Sequence, residues 1–99
     1  MKTFKVYDSN KEFIDVIQGE DIYDVTDDLI EIVVADMKGD DRFDKYEITA
    51  STPCWHCTVD DETSDTSYEV YNMLGIACPD YGETNIVIDY EVHEFEGDI

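Results

Sequence analysis

From Asn85 to Phe95 apolar and polar residues alternate for eleven positions, with Ile86, Ile88, Tyr90 and Val92 on one side and Asp89, Glu91 and His93 on the other. A period of two over that length fits a strand with one face against a core. The chain therefore needs a sheet and an apolar cover for one side of it. Ile22, Val25, Leu29, Ile32 and Val33 supply that cover, because their spacing is the stripe of an amphipathic helix. This helix is expected to open at Asp21 as a cap and to close at Lys38 and Gly39.

Phe4 and Val6 alternate with Lys5 and Tyr7 ahead of the turn-forming Asp8-Ser9-Asn10-Lys11, and Phe13 to Ile17 is again apolar. A β-hairpin accounts for this better than a short helix capped by Ser9. Tyr46, Ile48 and Ala50 read as a strand, and Trp55, Cys57 and Val59 continue it after a break at Pro53. Thr66 with Glu69 forms a capping box, which predicts a short helix through Leu74 stopped by Gly75. Pro79-Asp80-Tyr81-Gly82 reads as a turn. The expected fold is α+β: a small single domain over 1–99, with an antiparallel-rich β-sheet, one long helix and one short helix.

Charge limits the function. The 99 residues hold 26 acids and 6 bases, a net charge of −20, yet 42% are apolar and 12% aromatic, enough to build a core. Nucleic acid, anionic membranes and acidic substrates would be repelled, so the expected partner is a basic protein. The bases Lys2, Lys5, Lys11, Lys38, Arg42 and Lys45 all precede residue 46, and 13 acids follow with no base. No linker or repeat separates the two parts, so the acidity belongs to one domain's surface. No apolar run approaches a membrane span of about 18 residues, and the opening alternates too early for a signal peptide. A soluble, intracellular, cytoplasmic protein is expected.

Three sets of acids form the candidate partner-binding surface: Asp24, Asp28 and Glu31 on the helix, Asp60, Asp61 and Glu62 in an acidic loop that runs to Asp65, and Asp89 and Glu91 on the last strand. A helix face that was merely solvated would mix signs, whereas this one has no base before Lys38. Like charges at i,i+3 and i,i+4 oppose helix formation by roughly 0.2–0.5 kcal/mol per pair, a strain consistent with a field that is used. On this reading Asp28→Lys and Glu31→Lys cost more affinity than Asp8→Lys in the turn.

Cys54-Trp55-His56-Cys57 is the one segment with metal or redox chemistry. A single C-x-x-C lacks the second pair of a zinc motif, so the thiols read as reduced and inert and no metal or cofactor is expected; the alternative is a structural zinc on Cys54, Cys57 and Cys78. The adjoining acids would raise a thiol pKa, which disfavours redox catalysis. Asp60 to Asp65 lacks the Gly and Glu of an EF-hand loop. Phosphate-loop, G-x-S-x-G and H-E-x-x-H patterns are missing, so no enzyme is expected.

In composition and charge layout over the whole chain, the sequence resembles the acidic DNA-mimic inhibitors that phages and mobile elements make against restriction, CRISPR or other DNA-binding proteins. Those proteins share neither a fold nor a motif, so no residue role carries over. The resemblance implies a non-enzymatic inhibitor of anti-restriction or anti-CRISPR type, acting in an infected bacterial host, which fills the basic groove of a DNA-binding protein or nuclease with carboxylates in place of phosphates. Two other readings are a small protein-interaction or regulatory module with the structural zinc, and a halophilic domain whose acidity is general to its source.

Overall fold

A computed structural model describes residues 1–61, 66–79 and 84–96, leaving out the side chains of Trp55, His56, Asp61 and Thr66. β1 (Lys2–Tyr7) and β2 (Phe13–Gly19) form the expected hairpin, followed by α1 (Thr26–Lys38), a 3-10 turn at Asp41–Phe43, β3 (Glu47–Ala50), β4 (Cys54–Asp61), β5 (Thr66–Cys78) and β6 (Ile86–Glu96). All pairings are antiparallel, in the order β2-β1-β6-β5-β3, with β4 also on β5. Among the described residues α1 is the single α-helix, and it is too short to cross a membrane.

The short helix expected from Thr66 to Leu74 is instead the first part of β5, the longest strand. A capping box stabilises by only about 1 kcal/mol. Against it stand nine register positions shared with β6, from Glu69↔Glu94 to Ala77↔Ile86, and ladders to β4 and β3 on the other side. Tyr68, Val70, Tyr71 and Ile76 also favour a pleated surface. β3 and β4 lie end to end along β5. Ser51 closes the break between them: its N–H donates to the Leu74 carbonyl and its Oγ accepts from the Leu74 N–H, both at 2.8 Å.

The long helix starts later than its acids suggest. Asp21 Oδ1 accepts from the Asp24 N–H at 2.8 Å and so caps a separate turn, while Val25, ahead of Thr26, offers no side-chain cap. Asp27 and Asp28 fall in the first turn of α1, where the helix dipole stabilises them by about 0.3–1 kcal/mol each and offsets their mutual repulsion. Lys38 occupies the last turn, and the Gly39 N–H closes it on the Ala35 carbonyl at 3.1 Å.

α1 covers one face of the sheet. Leu29, Val33 and Met37 meet Phe4 and Val6 of β1, Met73 and Ala77 of β5, and Tyr90 and Val92 of β6, all of them buried. The alternation of β6 holds for Ile88, Tyr90 and Val92 on this side, although Ile86 at the strand start is exposed. Asp89, Glu91, His93 and Phe95 consequently face the side without a helix, together with Tyr7 and Tyr68.

Glu94 is the exception on the covered face, only 8% exposed. Burial is the main reason its pKa lies above the ordinary carboxylate value; Lys2, 3.7 Å away, opposes the shift while Glu69 and Glu96 add to it. A carboxyl raised in the folded state adds stability that is complete below the unfolded value and is lost as pH rises through the folded value. Glu94→Gln, which keeps an acceptor for the Tyr71 hydroxyl, is expected to raise the melting temperature at pH 7, because it removes the cost of a buried charge. Thermal scans between pH 5 and 7.5 check this: the wild type should approach the variant as pH falls, and a variant less stable at pH 7 would contradict it.

Candidate partner-binding surface

The helix acids and the β6 acids do not share a face, since α1 lies on one side of the sheet and Asp89 and Glu91 project from the other. They are nevertheless joined around the end of β1. The last β1 pair is Tyr7↔Glu91, and β6 extends beyond it toward Ile86 with no β1 partner. That leaves a notch at the β1–β2 turn, and carboxylates pass through it.

The band begins in a groove between α1 and β2, where Asp15, Asp28, Glu31 and Asp36 stand over Ile14, Ile17, Ile32 and Ala35. Asp36 also lines the next hollow, with Asp8, Asp40 and Asp41 around Tyr90. Asp8 belongs in turn to a third hollow with Lys11, Asp89 and Glu91. Asp8, Asp15, Asp36, Asp40 and Asp41 were not among the sequence candidates. In particular Asp8, expected to lie outside the surface, joins its two halves.

Hydrogen bonds fix the notch. Asp8 Oδ1 accepts from the backbone N–H groups of Asn10 (2.8 Å) and Glu12 (3.0 Å), which shapes the turn. Lys11 there has φ 66°, a left-handed conformation that costs a non-glycine residue about 1 kcal/mol, and its Nζ reaches Glu91 Oε1 at 2.6 Å. The Tyr90 hydroxyl donates to Asp36 Oδ2 at 2.8 Å, and burial, reinforced by this bond, holds its pKa well above the usual phenol value. Asp40 accepts from Arg42 Nε and Nη2 at 2.9 and 2.7 Å, which keeps its carboxyl below the ordinary range. Glu91 is likewise lowered, first by the Lys11 bond and, despite partial burial, also by His93.

The other sequence candidates fall at separate places. Asp24 is exposed ahead of α1, where its Oδ2 accepts from the Glu20 N–H at 3.2 Å. Asp60 is exposed on β4 and lines a hollow on the helix-free face with Glu91. Asp61 closes β4, and Glu62 lies outside the described residues, as do most of the acidic loop and of the expected turn at Pro79 to Gly82. The cysteines do not converge. Cys54 pairs with Asn72 in register, and Cys78 lies six residues further along β5, about 20 Å away at 3.3 Å per residue, too far to share one ion. Cys57 is opposite Val70, one strand away from His93.

The overall dimensions, 49 × 23 × 20 Å, are those of a short rod. Twenty net charges along 49 Å amount to one per about 2.5 Å, or about 3.3 Å without the undescribed Glu62, Asp65, Asp80, Glu83 and Asp98; a DNA duplex carries one per about 1.7 Å and each of its strands one per about 3.4 Å. Such a field opposes compaction, so added salt should raise the melting temperature steadily from low ionic strength by screening. A melting temperature that stays constant up to molar salt would show that the acids do not strain the fold. Comparison of the chain with protein-family models, with curated protein sequences and with solved structures finds no match.

Proposed function

We propose that this protein is a non-enzymatic inhibitor that mimics the charge of nucleic acid and occupies the basic groove of a DNA-binding protein or nuclease, in the manner of anti-restriction and anti-CRISPR proteins. The observation that carries the reading is the band of carboxylates running from the α1–β2 groove through the notch to Asp89, on a rod whose linear charge density lies between those of a duplex and a single strand. Of the bases near the band, Lys11 and Arg42 are bonded to its own acids. A partner therefore meets a path of carboxylates interrupted by these two exposed cations.

The test is competition. The tagged protein is used to capture partners from a bacterial lysate at low salt, bound proteins are released by a salt gradient, and each is rebound in the presence of duplex DNA. A mimic's target leaves at moderate salt and is displaced by saturating duplex, because both ligands need one groove. A partner that holds this protein and DNA together would refute the reading.

A further inference from the structure

On the helix-free face, at the end of the carboxylate band, Tyr7, Tyr68, His93 and Phe95 surround a hollow of about 420 Å³ whose other walls are Asp60, Glu91 and Lys11. The rings form a continuous set: Tyr68 stacks on Phe95 (4.7 Å between centroids) and on His93 (5.4 Å), and His93 meets Tyr7 at 4.6 Å. The set is built by register, since Val70↔His93 and Lys5↔His93 place neighbouring strands' side chains on one side. Among the described residues no helix covers this side, and the four rings are only half-buried.

The hollow already attracts cations of its own chain. Lys5 Nζ lies 5.4 Å from the Phe95 ring centroid, and Lys11 Nζ lies 2.6 Å from Glu91 Oε1. Two of the six basic residues thus sit at one aromatic site in a chain of 26 acids. Aromatic faces with a carboxylate at the rim attract a planar, weakly hydrated cation more than a compact, strongly hydrated one. A second copy of this chain would bring another 20 negative charges, and a phosphate would meet Asp60 and Glu91.

We infer that this hollow is an arginine socket: a guanidinium from the basic partner enters among Tyr7, Tyr68, His93 and Phe95 and pairs with Glu91 or Asp60, taking the place that the Lys11 ammonium holds. The inference rests on the mimic reading for its partner and adds to it a site that distinguishes arginine from lysine, which a phosphate-like charge row does not.

Oligo-arginine and oligo-lysine peptides of equal length, titrated at matched moderate salt, separate the two ideas. The arginine peptide is expected to bind about tenfold tighter. It should shift the ring-proton resonances of Tyr68 and His93, which the lysine peptide leaves in place. Tyr68→Leu combined with Phe95→Leu should reduce the preference to about twofold without changing the oligo-lysine affinity, and Lys11→Met, which removes the ammonium from Glu91 Oε1 while the His93 contact at 3.1 Å to Oε2 stays, should increase it. If the double variant does not fold, Lys11→Met and the wild-type resonances decide. Equal affinities with unmoved rings would overturn the socket and leave the carboxylate band intact. Failure of both peptides to bind at low salt would overturn the socket and the mimic reading together.

Discussion

Gly75→Val is expected to destabilise the fold by about 3 kcal/mol or more, enough to lower the melting temperature of a domain this size by at least 10 °C, at roughly 4–8 °C per kcal/mol. Gly75 lies in β5 on the covered face, and a Cβ there would collide with Met37 Sδ while standing 3.0 Å from Tyr90 Cε2 and 3.2 Å from Val33 Cγ1. The absent side chain is what lets α1 approach the sheet. In an uncovered strand the same change would be stabilising, because valine favours extended backbone and glycine does not. The sign of the effect therefore reports the packing. Met37→Ala should partly rescue Gly75→Val in a double-mutant cycle, since it removes the nearest obstacle. Purely additive losses in denaturant melts would mean that Gly75 does not set the helix–sheet distance.

The same residue shows where the sequence is opaque. Beside a capping box, Gly75 reads as a helix stop, and Val70 to Cys78, which has strand neighbours on both edges, is nearly continuous in apolar residues. A run of that kind carries no period by which to tell strand from helix. β6 was legible for the opposite reason: its outer face carries Asp89, Glu91 and His93, so the alternation survives. The buried stripe from Ile22 to Val33 was legible, but Ile22 and Val25 belong to a turn ahead of α1, because Asp21 caps that turn and the helix begins only at Thr26.

The candidate surface was legible as charge and opaque as geometry. Asp28, Glu31 and Asp89 stand on the band, but their connection depends on β1 ending at Tyr7 while β6 runs on toward Ile86. Only the register reveals that, and with it the role of Asp8. The aromatic hollow was hidden similarly. Seven tyrosines in the sequence suggest an interface, yet pairing across β1, β5 and β6 is what selects Tyr7 and Tyr68 to meet His93 and Phe95.

Charge reversal along the band should reduce affinity for a DNA-competed partner by about tenfold or more at each of Glu31→Lys, Asp41→Lys and Asp89→Lys, because every change removes an attraction and adds a like-charge contact. These three exposed residues sample the α1–β2 groove, the notch and the helix-free face. Asp8 does not serve as a control, being on the band and shaping the turn. Glu47→Lys does, because Glu47 is exposed on β3 at the opposite edge of the sheet. Glu31→Lys is preferred to Asp28→Lys, which would place a cation in the first turn of α1 against the dipole; at position 31 a lysine gains Asp27 and Asp28 one turn back and should not weaken the fold. Partner affinity and melting temperature are measured for each variant. Losses at Glu31 and Asp41 with Asp89 unaffected would confine the partner to the helix side, whereas losses at all three mean that it wraps the notch. Equal losses at all four positions, Glu47 included, would reduce the surface to a diffuse field and remove the case for a shaped mimic.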